Sequence, residues 1–427
     1  MTIGPPPFEI PRGRARTVSE EDGSRGRSVI SPLLKWPGGK GGELGKILAA
    51  APTDFERYFE PFVGGGAVFF SMPPGASAYI NDTSSDLISF YAHVQKQDED
   101  LFEFLEGIDN WWTAIGEFNH ANASELVAFF GTLRRDSSKA EQRARLLVED
   151  SLVELSRTVS RPWESLTQEF LNLTRKLVPK KIARMRKVET QRGVNLPLDD
   201  VWSNIEGAFK AACYSALRSA YNAGRDDVAG SARQAALFFF LREYAYAAMF
   251  RFNGKGEFNV PYGGISYNRK NFASKIGHLR SAGVVERLES ATLGCEDFET
   301  FLDVHRPGAN DFLFLDPPYD SDFSDYDRKG FDREDHERLA ATMQRVRCKF
   351  QLVIKSTPAV LKIYGEGRWN VLAFDKKYLW TIKERNDRNA THLLITNYLP
   401  SSIDAGCGRT MRRPSTMRSR LRRSELR

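Results

Sequence analysis

Cysteine is scarce in this sequence, and its spacing excludes two kinds of site. The four cysteines, Cys213, Cys295, Cys348 and Cys407, lie far apart among 427 residues and form no Cys-x-x-Cys pair. Neither a disulfide framework nor a zinc site is therefore expected. No His, Cys, Asp or Glu cluster has the spacing of metal ligands either, so we expect no bound metal.

Long apolar runs are also absent. No segment approaches the roughly 20 apolar residues that cross a membrane, and the amino-terminal stretch has no apolar core of signal-peptide type. We therefore expect a cytoplasmic protein with no membrane partner.

The net charge is a modest +6, with a pI of about 9.0. The basic residues of residues 1–30 and 401–427 predict two disordered basic tails. Solvated tails without function and non-specific contact with phosphates are equally compatible with this composition.

Apolar segments predict strands at 57–62, 78–80, 311–316, 350–354 and 392–398. The first two lead into predicted helices, which favours a parallel α/β sheet. Residues 94–235 have helical periodicity and many charges, including the basic segment 180–187. The sequence thus predicts a sheet domain in two parts, 31–93 and 273–400, interrupted by a mainly helical insertion at 94–272.

The first strand ends in three glycines, Gly64 to Gly66, and Asp82 ends the second. Ligands of open α/β sheets bind at the carboxyl ends of the strands, where glycine permits close backbone approach and an acidic residue about 20 positions later binds ribose. The pattern suits an adenosyl ligand. A plain loop, with Asp82 capping the helix that begins near Ser85, is the alternative.

The most specific pattern is Asp316-Pro317-Pro318-Tyr319, directly after the apolar segment 311–315. The prolines contribute no N–H donors, so the corner offers acceptors and an aromatic ring. If the Asp316 carboxylate and the Pro317 carbonyl each accept an N–H from an exocyclic amine, the lone pair of that amine is directed at an electrophilic methyl group. Tyr319 could stack on a base extruded from a duplex.

Together these residues resemble the Dam-like, D12 class (alpha-group) DNA adenine N6-methyltransferases. The resemblance covers most of residues 33–93 and 240–398, through segments at 35–40, 59–66, 81–82, 251–263 and 316–319. It implies a Rossmann-like methyltransferase sheet that uses S-adenosylmethionine, with a DNA-recognition domain in the insertion. Double-stranded DNA is the implied partner, and a cognate restriction endonuclease is a further candidate.

The resemblance also implies roles for individual residues. The implied cofactor contacts are Trp36, Lys40, Glu60, Phe62, Gly64, Gly66, Asp82, Asp297, Phe298 and Asp316, and the implied catalytic residues are Asp316, Pro317, Pro318 and Tyr319. Arg251, Asn253 and Pro261 lie in what resembles a DNA-reading hairpin, where arginine can bind guanine. Tyr326 lies in an expected mobile loop, 321–331, as a candidate to stack or wedge. For Arg251, a phosphate contact is the alternative.

The sequence departs from the family at Ala247, where enzymes that read GATC have asparagine, and at Met249, which replaces leucine. The insertion is also longer than in compact members, so no recognition sequence is assigned. Cytosine N4 methylation, methylation of RNA or protein amides, and an inactive DNA-binding regulator are the competing hypotheses. The order of the segments favours adenine.

Overall fold

The computed structural model describes residues 30–73, 75–224, 230–318, 331–365, 367–377 and 389–400. A seven-stranded sheet forms the centre of the fold, in the order β3-β2-β1-β4-β5-β7-β6. Its strands are β1 (Arg57–Glu60), β2 (Ser77–Asn81), β3 (Ala291–Gly294), β4 (Phe312–Leu315), β5 (Lys349–Lys355), β6 (Asn370–Lys377) and β7 (Asn389–Thr396). Only β7 is antiparallel to its neighbours. The predicted α/β class with a mostly parallel, Rossmann-like sheet is confirmed.

Seven helices accompany the sheet in the described part of the chain. They are α1 (Leu44–Ala50), α2 (Ser85–Gln95), α9 (Phe272–Leu279), α10 (Ala282–Glu289), α11 (Phe298–His305), α12 (Arg333–Arg345) and α13 (Pro358–Tyr364). Six further helices lie between α2 and α9 in the chain: α3 (Glu99–Ala121), α4 (Ala123–Arg135), α5 (Ala140–Ser156), α6 (Thr167–Arg192), α7 (Leu198–Ala223) and α8 (Ala232–Tyr244).

Successive residues of each strand point to opposite faces of the sheet, and two apolar cores result. Tyr58, Phe312 and Phe314 belong to a core that continues into the inserted helices. Phe59, Leu313 and Leu315 belong to the other core, against α11 to α13. The ring of Phe90 in α2 stacks on that of Phe239 in α8, with centroids 4.8 Å apart. The inserted helices therefore pack on one face of the sheet.

The chain after the glycine turn differs from our expectation of a helix there. The structure has a single 3-10 turn, Phe69–Ser71. Met72, with ψ 149°, is already extended because the residue before a proline, here Pro73, disfavours helical backbone angles.

Candidate active site

The glycine turn lies at the carboxyl end of β1, packed against the turn that contains Trp36. Gly64 has φ +47°, and a Cβ there would lie 2.6 Å from Trp36 Cδ1. Gly66 has φ +75°, and its Cβ would lie 2.7 Å from the Phe70 ring. Only glycine tolerates both the left-handed backbone and these short distances. Segments 35–40 and 64–66, which are separate in sequence, therefore form one surface.

Asp82 joins this surface from the end of β2. Its Oδ2 accepts a hydrogen bond from Gly64 N at 3.1 Å, and its Oδ1 accepts one from Ser84 N at 2.9 Å. Burial raises the pKa of Asp82, and these two backbone N–H groups partly offset that effect. Ser84 is the residue that caps α2. Asp82 thus links the glycine turn to the start of α2, and the side chain that caps the helix is that of Ser84.

Asp316 immediately follows β4, which pairs in parallel with β1 through Tyr58–Phe312 and Phe59–Leu313. The carboxyl ends of β1 and β4 are therefore neighbours. Lys40 Nζ lies 2.6 Å from Asp316 Oδ2 and also donates to the Gly38 carbonyl at 2.8 Å. The Lys40 side chain is 2% exposed, whereas that of Asp316 is 19% exposed. A buried ammonium group thus holds a carboxylate that solvent still reaches.

Glu60, the last residue of β1, is buried next to this ion pair. Its Oε2 accepts a hydrogen bond from the Tyr58 hydroxyl at 2.6 Å. Burial, with a contribution from the negative charge of Asp316, raises the pKa of Glu60 to about 8. Burial therefore favours the protonated form of the Glu60 carboxyl group.

An aromatic cluster borders the site on the side of α11. The ring of Phe62 lies 5.5 Å from that of Phe298 and 5.6 Å from that of Phe331. Asp297 caps α11 by accepting from Glu299 N at 3.0 Å, and its Oδ1 lies 2.6 Å from Arg338 Nη2. Phe62 and Phe298 thus come together, whereas the Asp297 side chain is engaged within the protein.

The segment 251–263 forms an irregular hairpin. Its two arms are joined by an antiparallel bridge between Phe252 and Phe258. Asn253 Oδ1 accepts from the backbone N–H groups of Lys255 and Glu257 at 2.9 and 3.0 Å. Asn253 therefore shapes the tip of the hairpin.

Arg251 is exposed on the same hairpin, and its Nε donates to Asn259 Oδ1 at 3.2 Å. Among the described residues, no hydrogen bond or ion pair occupies its terminal Nη atoms. Pro261 is exposed as well, and its carbonyl accepts from Tyr246 N at 2.9 Å.

Ala247 and Ala248, just before the hairpin, both adopt left-handed backbone angles, with φ of +52° and +54°. Such angles are costly for alanine and suit glycine or asparagine. The departure at Ala247 thus falls on a strained turn next to the arm that carries Arg251.

Sequence reasoning missed one residue that connects the hairpin to the site. Arg242 in α8 is fully buried between the rings of Trp36 and Phe250, with its guanidinium carbon 4.7 Å from each ring centroid. Its Nη2 donates to the Lys35 carbonyl. Burial lowers its pKa to about 10. The available signal was the Arg242-Glu243 pair directly after the apolar segment 235–241.

Tyr319 and Tyr326, and the expected loop at 321–331 except for Phe331, lie outside the described residues. Pro317 is buried and Pro318 is exposed. The described residues contain no cluster of three His, Cys, Asp or Glu arranged to hold a metal ion. No helix among them is both long enough and apolar enough to span a membrane.

Comparison with known proteins identifies the family to which this chain belongs. The family model of the D12 class N6 adenine-specific DNA methyltransferases matches residues 36–146 and 170–378, about three quarters of the chain. The chain belongs to this family. It is therefore a methyltransferase that acts on adenine in DNA, and the cytosine N4 hypothesis is not favoured.

Full-length relatives of this D12 class enzyme occur in bacteria, viruses and archaea. The type II methyltransferase M1.LlaDCHI of Lactococcus lactis subsp. cremoris is 24% identical over 86% of this chain and 96% of its own length. M.CviBI of Paramecium bursaria Chlorella virus NC1A is 24% identical over 86% of this chain and all of its own. M.MjaIII of Methanocaldococcus jannaschii is 26% identical over 86% and 99%, respectively.

Proposed function

We propose that this enzyme transfers a methyl group from S-adenosylmethionine to N6 of an adenine that is flipped out of double-stranded DNA, with Asp316 as the principal catalytic residue. The observation that carries the proposal is the carboxylate of Asp316, partly exposed beside the glycine turn and held by Lys40 at 2.6 Å. The family membership supports the acceptor, N6 of adenine.

The residues around the glycine turn fit a bound S-adenosylmethionine. Each carboxylate oxygen of Asp82 accepts one backbone N–H and retains a lone pair for a ribose hydroxyl. Phe62 and Phe298 supply apolar surface for an adenine ring, next to the cap residue Asp297. The remaining proposed contacts come from Trp36, Lys40, Glu60, Gly64, Gly66 and Asp316.

The cofactor supplies an electrophilic methyl group on a sulfonium. The protein's part is to hold and orient the acceptor amine. A carboxylate has about four lone-pair sites, so Asp316 can bind Lys40 and still accept an N–H of the adenine amino group. Pro317, which has no N–H, leaves its carbonyl as a second acceptor. Two acceptors that draw the amine towards tetrahedral geometry make its lone pair available for attack.

Lys40 fixes the Asp316 carboxylate in place through the ion pair at 2.6 Å. An ionised acceptor forms a hydrogen bond roughly twice as strong as a neutral one. The methylated amine sheds its proton readily once formed, so a strong base is not required. Tyr319 is proposed to stack on the flipped base, with Tyr326 as a second candidate for stacking or wedging.

We further propose that residues 94–272 form the target-recognition domain, with the basic tails 1–30 and 401–427 outside it. Arg251 is exposed, and no side chain or backbone group of the described residues occupies its terminal nitrogens, as binding to guanine O6 and N7 requires. Asn253 supports the hairpin tip, and Pro261 borders it. The hairpin is therefore expected to read sequence, while the sheet domain, 31–93 and 273–400, carries out the reaction.

The test is Asp316→Ala, assayed by transfer of labelled methyl groups to DNA and by mass analysis of the digested nucleosides. We expect N6-methyladenine from the wild type and none from the variant, with DNA binding largely kept. Asp303→Ala, which removes an exposed carboxylate of α11, is the matched control and should stay active. Near-normal activity of Asp316→Ala would refute the catalytic role. N4-methylcytosine without N6-methyladenine would refute the acceptor, and an inactive wild type would favour the regulator hypothesis.

Target recognition is tested separately with Arg251→Ala, by mapping methylated adenines across a genome that lacks other methylation. Loss of one bidentate base contact should cost about 1–3 kcal/mol of discrimination at one position. An unchanged recognition sequence with weaker binding would make Arg251 a phosphate contact. The wild-type map also gives the sequence that a cognate restriction endonuclease would have to share.

A further inference from the structure

The basic segment 180–187 lies in α6 and contributes to a row of exposed cations along that helix. Lys176, Lys180, Arg184 and Lys187 are all exposed. They follow one another at intervals of three or four residues, which places them on one side of the helix. We call these four residues the basic stripe. It extends along about 16 Å of helix axis.

The two carboxylates of α6 do not pair with the stripe in the described part of the chain. Glu169 lies in the first turn of the helix, before the stripe, and Glu189 is buried and binds Arg134 and Arg186. Within the part of the chain that the structure describes, the ion pairs of α6 involve Arg175, Arg186 and Glu189 but none of the four stripe residues. Burial, and to a lesser extent the charge of Arg184, lowers the pKa of the adjacent Lys181. The helix therefore presents a concentrated positive charge to solvent.

The first residue of the basic stripe, Lys176, lies at the level of the part of α7 that contacts the hairpin. A short connection, 193–197, returns the chain from α6 into α7, so the two packed helices are antiparallel. Lys176 in α6 and Tyr214 in α7 lie equally many residues from the connection between the two helices. In an antiparallel pair of helices, the two residues are therefore at the same level. The Tyr214 hydroxyl donates to the Val260 carbonyl of the hairpin at 3.0 Å. From that level the stripe extends away from the hairpin, towards the connection.

We propose that the basic stripe binds the phosphate backbone of double-stranded DNA outside the site that the hairpin reads, independently of sequence. This proposal rests on double-stranded DNA as the substrate and adds a second contact surface. Phosphates follow one another every 3.4 Å or so along each strand, so a stripe of about 16 Å can face roughly five of them. Exposed, unpaired cations are the groups that release counterions when they neutralise phosphates.

The test measures how the affinity for a duplex of about 30 base pairs changes with salt between about 50 and 200 mM. For each phosphate contact that is lost, the slope of log K against log salt falls in magnitude by about 0.9. We therefore expect the double variant K180Q/R184Q to lower the slope by about 2, with the ratio of specific to non-specific affinity unchanged. Methylation at saturating DNA should also stay unchanged, so this readout separates failure of the stripe from failure of the proposed reaction.

Two controls sharpen the test. R347Q/K349Q removes two exposed cations at the amino end of β5, the end away from Asp316, and should keep the wild-type slope. K180R/R184K keeps both charges and should also keep it. A wild-type slope in K180Q/R184Q would overturn the proposal. An equal fall of the salt slope in either control would also overturn the proposal. The effect would then depend on the total charge of the protein or on the surface of α6, rather than on the charge of the stripe.

Discussion

Gly64→Ala tests whether the glycine turn and Trp36 form one surface. The new Cβ would lie 2.6 Å from Trp36 Cδ1 and 3.0 Å from its Nε1. Carbon atoms in contact are normally about 3.5–4.0 Å apart, so the indole has to move by about 1 Å. The backbone at φ +47° is also unfavourable for alanine.

The two effects should add. A left-handed angle costs alanine about 1–2 kcal/mol, and overpacking costs about 1–3 kcal/mol. Gly64→Ala should therefore lower the free energy of unfolding by about 2–5 kcal/mol. Because the displaced Trp36 belongs to the proposed cofactor surface, we also expect S-adenosylmethionine to bind at least about tenfold more weakly, which corresponds to 1.4 kcal/mol.

Gly193→Ala is the matched control. Gly193 follows α6 with φ +64°, and a Cβ there would have no atom within 4 Å. It should lose only the backbone part, about 1–2 kcal/mol, and bind cofactor normally. Urea denaturation gives the stabilities, and isothermal titration gives the affinities. If the two variants lose equal stability and both bind cofactor like the wild type, the close contact between Gly64 and Trp36 is not what fixes this turn.

Three further predictions concern charge and strain around the site. The folded-state pKa of Glu60, about 8, lies above its ordinary 4.5, so the free energy of unfolding should fall as pH rises from 4.5 to about 8. Urea titrations at a series of pH values should show a shallower fall for Glu60→Gln than for the wild type. An equally steep fall in both proteins would mean that Glu60 is charged in the fold. Lys40→Met removes the buried partner of the Lys40–Asp316 ion pair, so it should destabilise the protein by about 3 kcal/mol and reduce methyl transfer. Wild-type stability and activity would show that the ion pair is dispensable. Ala247→Asn, at φ +52°, should raise the melting temperature through a gain of about 1 kcal/mol, and a lower one would argue against backbone strain at this turn.

The sequence predicted the parts of the fold that depend on neighbouring residues. β1, β2, β4, β5 and β7 are visible as short apolar segments, and the glycine turn and Asp316 follow two of them directly. Strand ends and the residues just after them are local features, so the sequence alone predicts a candidate site there. The helices of the insertion were predicted from periodicity for the same reason.

Edge strands were harder to predict. β3, with the sequence Ala-Thr-Leu-Gly, has one buried residue of four, and β6 includes several polar residues. Such strands form because a neighbouring strand offers unpaired N–H and C=O groups, which no local pattern encodes. The helix expected after the glycine turn failed for a local reason, since Pro73 stops it after one turn.

What the sequence determined by itself is therefore the chemistry at the strand ends: acceptors at 316–318, glycines at 64–66 and a carboxylate at 82. Only the tertiary structure decided how they meet. It placed Lys40 against Asp316, Asp82 against Gly64, and Arg242 between Trp36 and Phe250. These contacts join residues far apart in the chain, and they are fixed by strand order and by packing of the insertion on one sheet face. Local propensity acts over a few residues, so it has no means of specifying them.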